Sequence, residues 1–489
     1  MPGWAGPLVL SDVSFRKGGA MPSRTIEEGR IKRLNTHEPK GGGYILYWMQ
    51  QSQRAEFNPA LEYAIQRANE AKLPLLVGFG LMDGYPEANV RHYRFMLEGL
   101  QDTQLTLARR KIPLVVQRGA PDEVALKLAR KAALVVCDRG YLRHQKQWRQ
   151  TVAEKATCPV VQVEGDVVVP VEAASGKAEF AARTLRPKIH RLWSAYLVEL
   201  APTPLKTDSL GLGVKGLDLE NLDGVLAKLD LDRTVPLVSH RFRGGTSEAK
   251  RLLRKFLTEH LPTYEESRPH PETTHVSHMS KYLHFGQVSP VEVALAARGA
   301  KAADHQRENF LEELIVRREL AQNFAEYSPH YDSFECVPEW ARKTLDKHRS
   351  DERQYQYTRE QLERALTHDP YWNAAMREMR YTGYTHNAMR MYWGKKILEW
   401  SSTPEHAHRT ALALNNRYFL DGRDANSYAN IGWVFGLHDR PWGEREIFGT
   451  VRYMSSGGLE RKADMEAYLE KVDKLVAEAK AAGVRFEGD

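Results

Sequence analysis

Cysteine is scarce: Cys137, Cys158 and Cys336 are the only three in 489 residues, and none has CxxC spacing. That excludes a disulfide framework and argues against a cysteine-built zinc site. It points to a reducing, intracellular setting, cytoplasmic with a nucleoid or nuclear association according to the source. No apolar run reaches the ~18 residues a membrane span needs, so no membrane partner is expected. The first twenty residues hold Pro, Gly and scattered charge without the apolar stretch of a secretory signal. There is no repeat of fixed period and no low-complexity tract, which sets solenoids aside. No GxGxxG follows the first strand-like run, so the dinucleotide fingerprint is missing. Nor is there a hydrolase triad, a metal-ligand cluster or a paired-carboxylate site. The net charge of +7 permits nucleic acid as a partner without requiring it.

What is present divides in two. Residues 1–40 have no period and read as a flexible arm. Over 41–200, short apolar runs at 44–49, 75–79, 114–116, 133–137 and 160–163 alternate with helical patterns, one capped by Asn58-Pro59. Alternation of this kind predicts a doubly wound parallel sheet, Rossmann-like, covered by helices on both faces. Such a sheet can bind a ligand beyond the carboxyl ends of its strands, at the switch point, or bind none. Residues 201–236, rich in Pro and Gly, read as an interdomain linker with room for one short helix. From 237 to 489 helical periods dominate, predicting an α/β domain followed by an all-α domain.

The helical half is organised around residues 369–400, DPYWNAAMREMRYTGYTHNAMRMYWGKKILEW. Asp369-Pro370 is an N-cap and first-turn signal, Gly383 a break, and Thr385 a candidate cap for a second helix. Trp393 and Trp400 stand i and i+7 on one helix face, roughly 10 Å apart along the axis, and Trp372 meets them if the helices fold back. Aromatics at this spacing serve either as core or as a relay passing an electron between solvent and a buried redox cofactor. Spacing does not choose. Elsewhere, Ser277-His278-Met279-Ser280 precedes a helical run and suits either an ordinary cap or a phosphate cradle. Glu312, Glu313, Arg317, Arg318 and Glu319 have the spacing of surface ion pairs, and the last helical run, 463–483, reads as a solvated amphipathic helix.

The 369–400 stretch, together with GLHDRPWGEREIFGTVRYM at 436–454, closely resembles the class II cyclobutane pyrimidine dimer photolyases, flavoproteins that repair ultraviolet-damaged DNA with light. The resemblance runs from about Tyr44 to the C-terminus. It implies that the helical domain binds FAD, with the reduced form FADH⁻ active, and that the first domain can carry an antenna, a deazaflavin or a folate. It implies cofactor contacts at Tyr264, Ser277, His278, Met279, Ser280, Arg390, Asn415, Asp421, Gly422 and Asn426, with Asn415 beside the redox-active edge of the ring. It places Glu313 against a thymine carbonyl, which requires that carboxyl to be protonated or well oriented. Met391 and Trp433 fall near the dimer, Arg268 pairs with Asp439, and Arg440, Trp442 and Arg452 contact DNA or fill the gap left when the lesion swings out. The indole order becomes Trp393, Trp372, Trp400, with Trp393 nearest the flavin and Trp400 outermost. Four positions depart from the family pattern: Lys281 replaces a proline, Asn387-Ala388 replaces Gly-Tyr, and Met376 replaces glutamine.

The implied activity is that of a carbon–carbon lyase: an electron lent by excited FADH⁻ splits a flipped dimer and returns, with no metal. The implied partner is ultraviolet-damaged DNA, single- or double-stranded, met by a monomer. A cryptochrome-like photosensor would use the same fold and indole row and stands as the alternative.

Overall fold

The computed structural model describes residues 25–38 and 41–487. Six strands form one sheet: β1 (Ile31–Arg33), β2 (Tyr44–Trp48), β3 (Leu75–Leu81), β4 (Leu114–Arg118), β5 (Ala132–Cys137) and β6 (Val160–Val163). Their order is β1-β6-β5-β2-β3-β4. β2 to β6 are parallel and β1 adds an antiparallel edge. The crossover helices are α1 (Pro59–Ala71), α2 (Val90–Arg109), α3 (Pro121–Ala129) and α4 (Arg143–Lys155). The period of two in YILYW explains the two-sided burial: Ile45 and Tyr47 join the core under α1 and α2, while Leu46 and Trp48 face α3 and α4. Strand order reverses between β2 and β5, which puts the switch point at their carboxyl ends.

Two expectations need correction here. Residues 1–24 of the expected arm lie outside the described residues, but 31–33 are a strand, because Ile31, Lys32 and Arg33 find backbone partners at Val163, Gln162 and Val161. The 201–236 segment is no free connector: Leu219, Leu222, Val225 and Leu226 pack into the α1/α2 core. The Leu217 N–H donates to Val116 O at 2.7 Å, covering the outer edge of β4.

Among the described residues no strand follows β6. Five helices carry the argument in the second half: α5 (Pro370–Thr382), α6 (Asn387–Trp400), α7 (Pro404–Tyr418), α8 (Ala425–Val434) and α9 (Met465–Ala481). Asp369 caps α5 by accepting from the Tyr371 and Trp372 N–H groups, each at 3.0 Å. Gly383 ends it at φ +73°, a left-handed position where a Cβ would stand 2.9 Å from Leu420 Cγ. The cap of α6 is His386, whose Nδ1 accepts from Ala388 N–H; Thr385 instead donates to Ala375 O. The last helix is not merely solvated. Tyr468 and Val472 of α9 are fully buried against α5, and the Tyr468 hydroxyl donates to Glu378 at 2.9 Å. The 312–319 charge run is a surface face only in part: Glu312 and Arg317 pair there at 3.1 Å, while Arg318 and Glu319 are buried, donating to Asp166 O and accepting from Val168 N–H respectively.

Candidate functional site

The fold-back of α5 on α6 assembles the indole row. Trp372 and Trp393 stack at 6.5 Å between ring centroids with planes 11° apart, and Trp400 meets Trp372 edge-on at 5.6 Å. Trp372 is therefore the middle member. Its indole N–H donates to Trp393 O at 3.0 Å, pinning one helix to the other. The Trp393 indole N–H is buried without any acceptor. Trp400, expected at the outside, is only 2% exposed. Beyond it lie Tyr357 at 5.3 Å and His368 at 5.4 Å, and His368 stacks at 3.7 Å on Tyr355, which is 38% exposed. The Tyr357 hydroxyl lies 2.6 Å from His368 Nδ1.

Next to the row, Arg390 of α6 forms a two-pronged pair with Asp421 at 3.0 and 3.1 Å, its guanidinium 3.8 Å over the Phe419 ring. Burial pushes the Asp421 carboxyl up, but Arg390, with help from the Ser280 hydroxyl and Lys281, outweighs it and holds the group at about 2. Lys281 is buried, its ammonium 3.9 Å over Phe242 and 5.1 Å from the Tyr384 ring, and it donates to His278 O at 3.1 Å. Burial lowers this lysine to about 7, against the pull of Asp421. Proline at 281 would have supplied no charge here. Asn415 is buried near the end of α7, its amide donating to Asn416 Oδ1 at 3.0 Å. Gly422 packs so tightly that a Cβ would meet Asn415 O at 2.9 Å. Asn426 donates to Asp424 at 3.3 Å, and Tyr264 is buried edge-on against Phe256 and Phe310.

A cavity beside this cluster tests whether a dinucleotide cofactor fits. Arg241 and Lys471 share its wall with His278 and His386. His278 Nδ1 and His386 Nε2 are buried with no partner, and His278 sits at φ +57°. Burial, then the nearby cations, hold both imidazoles neutral, His386 at about 3. Arg241 and two unpartnered ring nitrogens suit a bound phosphate, Lys471 being held by Glu378 at 3.4 Å and by the Pro271 and Thr273 carbonyls, and the buried, acceptor-less Trp393 suits an aromatic ring system. The residues present fit FAD.

Arg268 does not meet Asp439. It pairs with Glu313 at 2.7 Å, both side chains about one-third exposed, in a π-helical turn Glu312–Arg317 that interrupts the surrounding helix. Glu313 is thus oriented by an arginine rather than buried. Asp439 pairs with Arg452 at 3.0 Å. Arg452 lies 4.2 Å over Trp442 and 5.4 Å over Trp433, and Arg440 lies 5.3 Å from Trp442. The result is a surface ladder of alternating rings and guanidiniums with Trp442 41% exposed. Met391 is half-buried one turn before Lys395. Lys395, fully buried, donates to Val434 O with its ammonium 4.8 Å over Trp433. Nothing in WGKKILEW sets that lysine apart from a surface one, so only the fold reveals it.

A second cavity opens at the carboxyl ends of β2 and β3, closed by Trp148 of α4, Phe285 and Arg423. Gln50 lines it with both amide atoms buried and unpartnered. Among the described residues no cluster of metal ligands occurs, and no helix is long and apolar enough to cross a membrane.

Comparison with known proteins places this geometry. The DNA photolyase family model matches residues 45–206. The deoxyribodipyrimidine photo-lyase of Methanothermobacter thermautotrophicus is 50% identical over 455 residues, 93% of this chain and 100% of its own. That of Arabidopsis thaliana is 38% identical over 93% of this chain and 95% of its own, and that of Potorous tridactylus 38% over 88% and 81%. Among solved structures, a class III photolyase from Agrobacterium tumefaciens superposes with a TM-score of 0.68 at 19% identity, covering 92% of this chain and 93% of its own. The Synechocystis cryptochrome gives 0.65 at 16%, covering 91% and 95%. Sharing half its residues with a photo-lyase along nearly its whole length, the chain belongs to the DNA photolyase family, within the photolyase and cryptochrome group.

Proposed function

We propose that this protein is a class II deoxyribodipyrimidine photo-lyase that repairs cyclobutane pyrimidine dimers in DNA under light. The observation that carries the reading is the row Trp393–Trp372–Trp400, each ring in contact with the next, beside a cationic cavity with unpartnered buried nitrogens. Reduced FAD, when bound, supplies the photoexcited electron that opens the cyclobutane ring. The protein's own groups bind and orient. His278, His386 and Arg241 take the diphosphate, with Ser277 to Ser280 and Tyr264 along its path. Arg390, Asp421, Gly422, Asn426 and Asn415 hold the ring system. The Arg390–Asp421 pair also keeps a guanidinium beside it, with Asp421 buried and Arg390 about one-quarter exposed.

On the DNA side, Glu313 presents its carboxyl to the lesion's carbonyls and Arg268 fixes its direction. Met391 and Trp433 supply apolar contact. Trp442 restores stacking where the dimer leaves the duplex, while Arg440 and Arg452 meet phosphates or orphaned bases. Flipping costs a few kcal/mol of unstacking, least at a damaged step, so the lesion contributes to its own selection. The indole row returns electrons from solvent, and Tyr357, His368 and Tyr355 carry the path past buried Trp400 to the surface. The cavity at the ends of β2 and β3 is the place for an antenna. A photosensor would share the indoles but would leave Glu313, Arg268 and the Trp433–Arg452–Trp442 ladder without work.

The test is direct: purify the protein, record its absorption, and assay dimer-containing oligonucleotides under blue light and in darkness. Failure to hold FAD, or dimers left intact under light by the reduced protein, would overturn the reading.

A further inference from the structure

Away from the flavin and DNA sites, a cleft of about 530 Å³ lies between β1, the outer face of α4 and residues 139, 172 and 326. Lys32, Arg139, Lys146 and Arg149 supply four cations to it, and Glu154, Glu172 and Glu326 three carboxylates. Two of those carboxylates are already shared. Glu172 serves Lys32 and Arg139, both at 3.0 Å; Glu326 serves Arg139 at 3.1 Å and Lys146 at 3.2 Å. Glu154 accepts from Gln150 at 2.8 Å. Arg149 is left over. It is 6% exposed, makes no hydrogen bond, ion pair or ring contact, and its Nη1 is enclosed without an acceptor.

Three other buried arginines are well partnered: Arg30 meets Glu27 and four carbonyls, Arg54 meets Asp166 and Gly286 O, and Arg91 meets four carbonyls. Arg380, whose Nε also lacks an acceptor, lies 4.2 Å over the Phe486 ring instead; Arg149 has no such ring, and a large polar cleft adjoins it. A buried guanidinium without a partner is costly, and the missing partner is an acceptor with negative charge.

We propose that this cleft binds a phosphate group, with the Arg149 guanidinium as the inner cation and Lys146 and Lys32 at the rim. The volume exceeds what free phosphate fills, so a small phosphorylated metabolite fits as well as the inorganic ion. The site shares no residue with those assigned above to flavin or DNA.

The test uses flavin-loaded, full-length protein in phosphate-free buffer at constant ionic strength. Inorganic phosphate and AMP are titrated by calorimetry and by thermal unfolding, for wild type, Arg149→Met and Arg149→Lys. Wild type should bind saturably and its Tm should rise. Arg149→Met should bind at least ten-fold more weakly, Arg149→Lys should fall between, and Arg149→Met should unfold no lower than wild type when phosphate is absent. AMP binding tighter than phosphate identifies a phosphorylated metabolite; equal binding identifies the free ion. Equal stabilisation of all three proteins, no saturable binding, or displacement of phosphate by undamaged duplex DNA would overturn the proposal. Should Arg149→Met fail to fold, Arg149→Lys still decides: unchanged affinity in that variant would sink it.

Discussion

At the scale of single residues the site works through pairs that hold a geometry. The relay proposed for Trp393 depends on Trp372 lying parallel to it at 6.5 Å. Changing Trp393 to Phe keeps most of the volume and removes the easily oxidised ring. Light-driven reduction of the bound flavin should fall at least ten-fold, while repair by chemically pre-reduced protein stays within about two-fold; equal loss of both would refute the relay. Asp421 presents a different case. Replacing it with Asn leaves Arg390 facing a neutral amide in a largely buried place, a change expected to cost ~3 kcal/mol and to loosen FAD. The readouts are Tm and flavin retained on gel filtration, and wild-type values for both would remove the assignment. What the sequence made legible here was residue identity. The tryptophans stood out in their stretch, while Arg390 and Asp421 were named from the family resemblance alone. Ion-pair partners could not: Arg268 chose Glu313 and Asp439 chose Arg452, because such choices depend on how separate segments approach in space.

At the scale of elements, α5 and α6 act as one device. Asp369 caps α5 and also accepts from the Tyr392 hydroxyl of α6, so one carboxylate fixes the start of one helix to the flank of the next. Asp369→Ala should therefore cost more than an isolated cap, which is worth ~1 kcal/mol, and should slow photoreduction by disturbing the stack. A Tm drop with unaltered photoreduction would show that the cap serves stability alone. The limits of α5 were readable in advance because cap chemistry is local: Asp-Pro opens the helix and Gly383 closes it. The role of α9 was not. Its apolar stripe says that something covers it without saying what, and the cover proved to be α5 through Tyr468 and Val472. The π-helical turn under Glu313 left no mark in the residue pattern either, since ENFLEELIVRRELAQNF reads as one regular helix.

At the scale of the whole molecule, two conditions of the medium matter. Several histidines are held neutral by burial: His144 and His408 at about 4, His386 at about 3. In the unfolded chain each takes up a proton near pH 6.5, whereas the folded state accepts it only at the lower value. Their contribution is complete above pH 6.5 and is lost as pH falls through about 4 and then 3. Tm should decline from pH 6.5 to pH 5, the loss from the three imidazoles exceeding the opposite gain from Glu319, whose carboxyl burial raises to about 8; a rising profile would contradict the burial of these rings. Ionic strength acts on the other face. With Arg440 and Arg452 assigned to phosphates, affinity for damaged DNA should fall with a slope near −0.9 per phosphate contact in log K against log salt. A slope near zero would remove them from the interface.

The two margins of the sheet have a further consequence. β1, only three residues and two of them basic, is stitched to β6 on one side, and the 217 segment hydrogen-bonds to β4 on the other. A neighbouring molecule finds no long unpaired rail on which to add a strand. Expressing the protein from residue 41 onward would strip that trim from β6, and the shortened chains should self-associate, eluting earlier from a sizing column than the full-length chain at the same concentration.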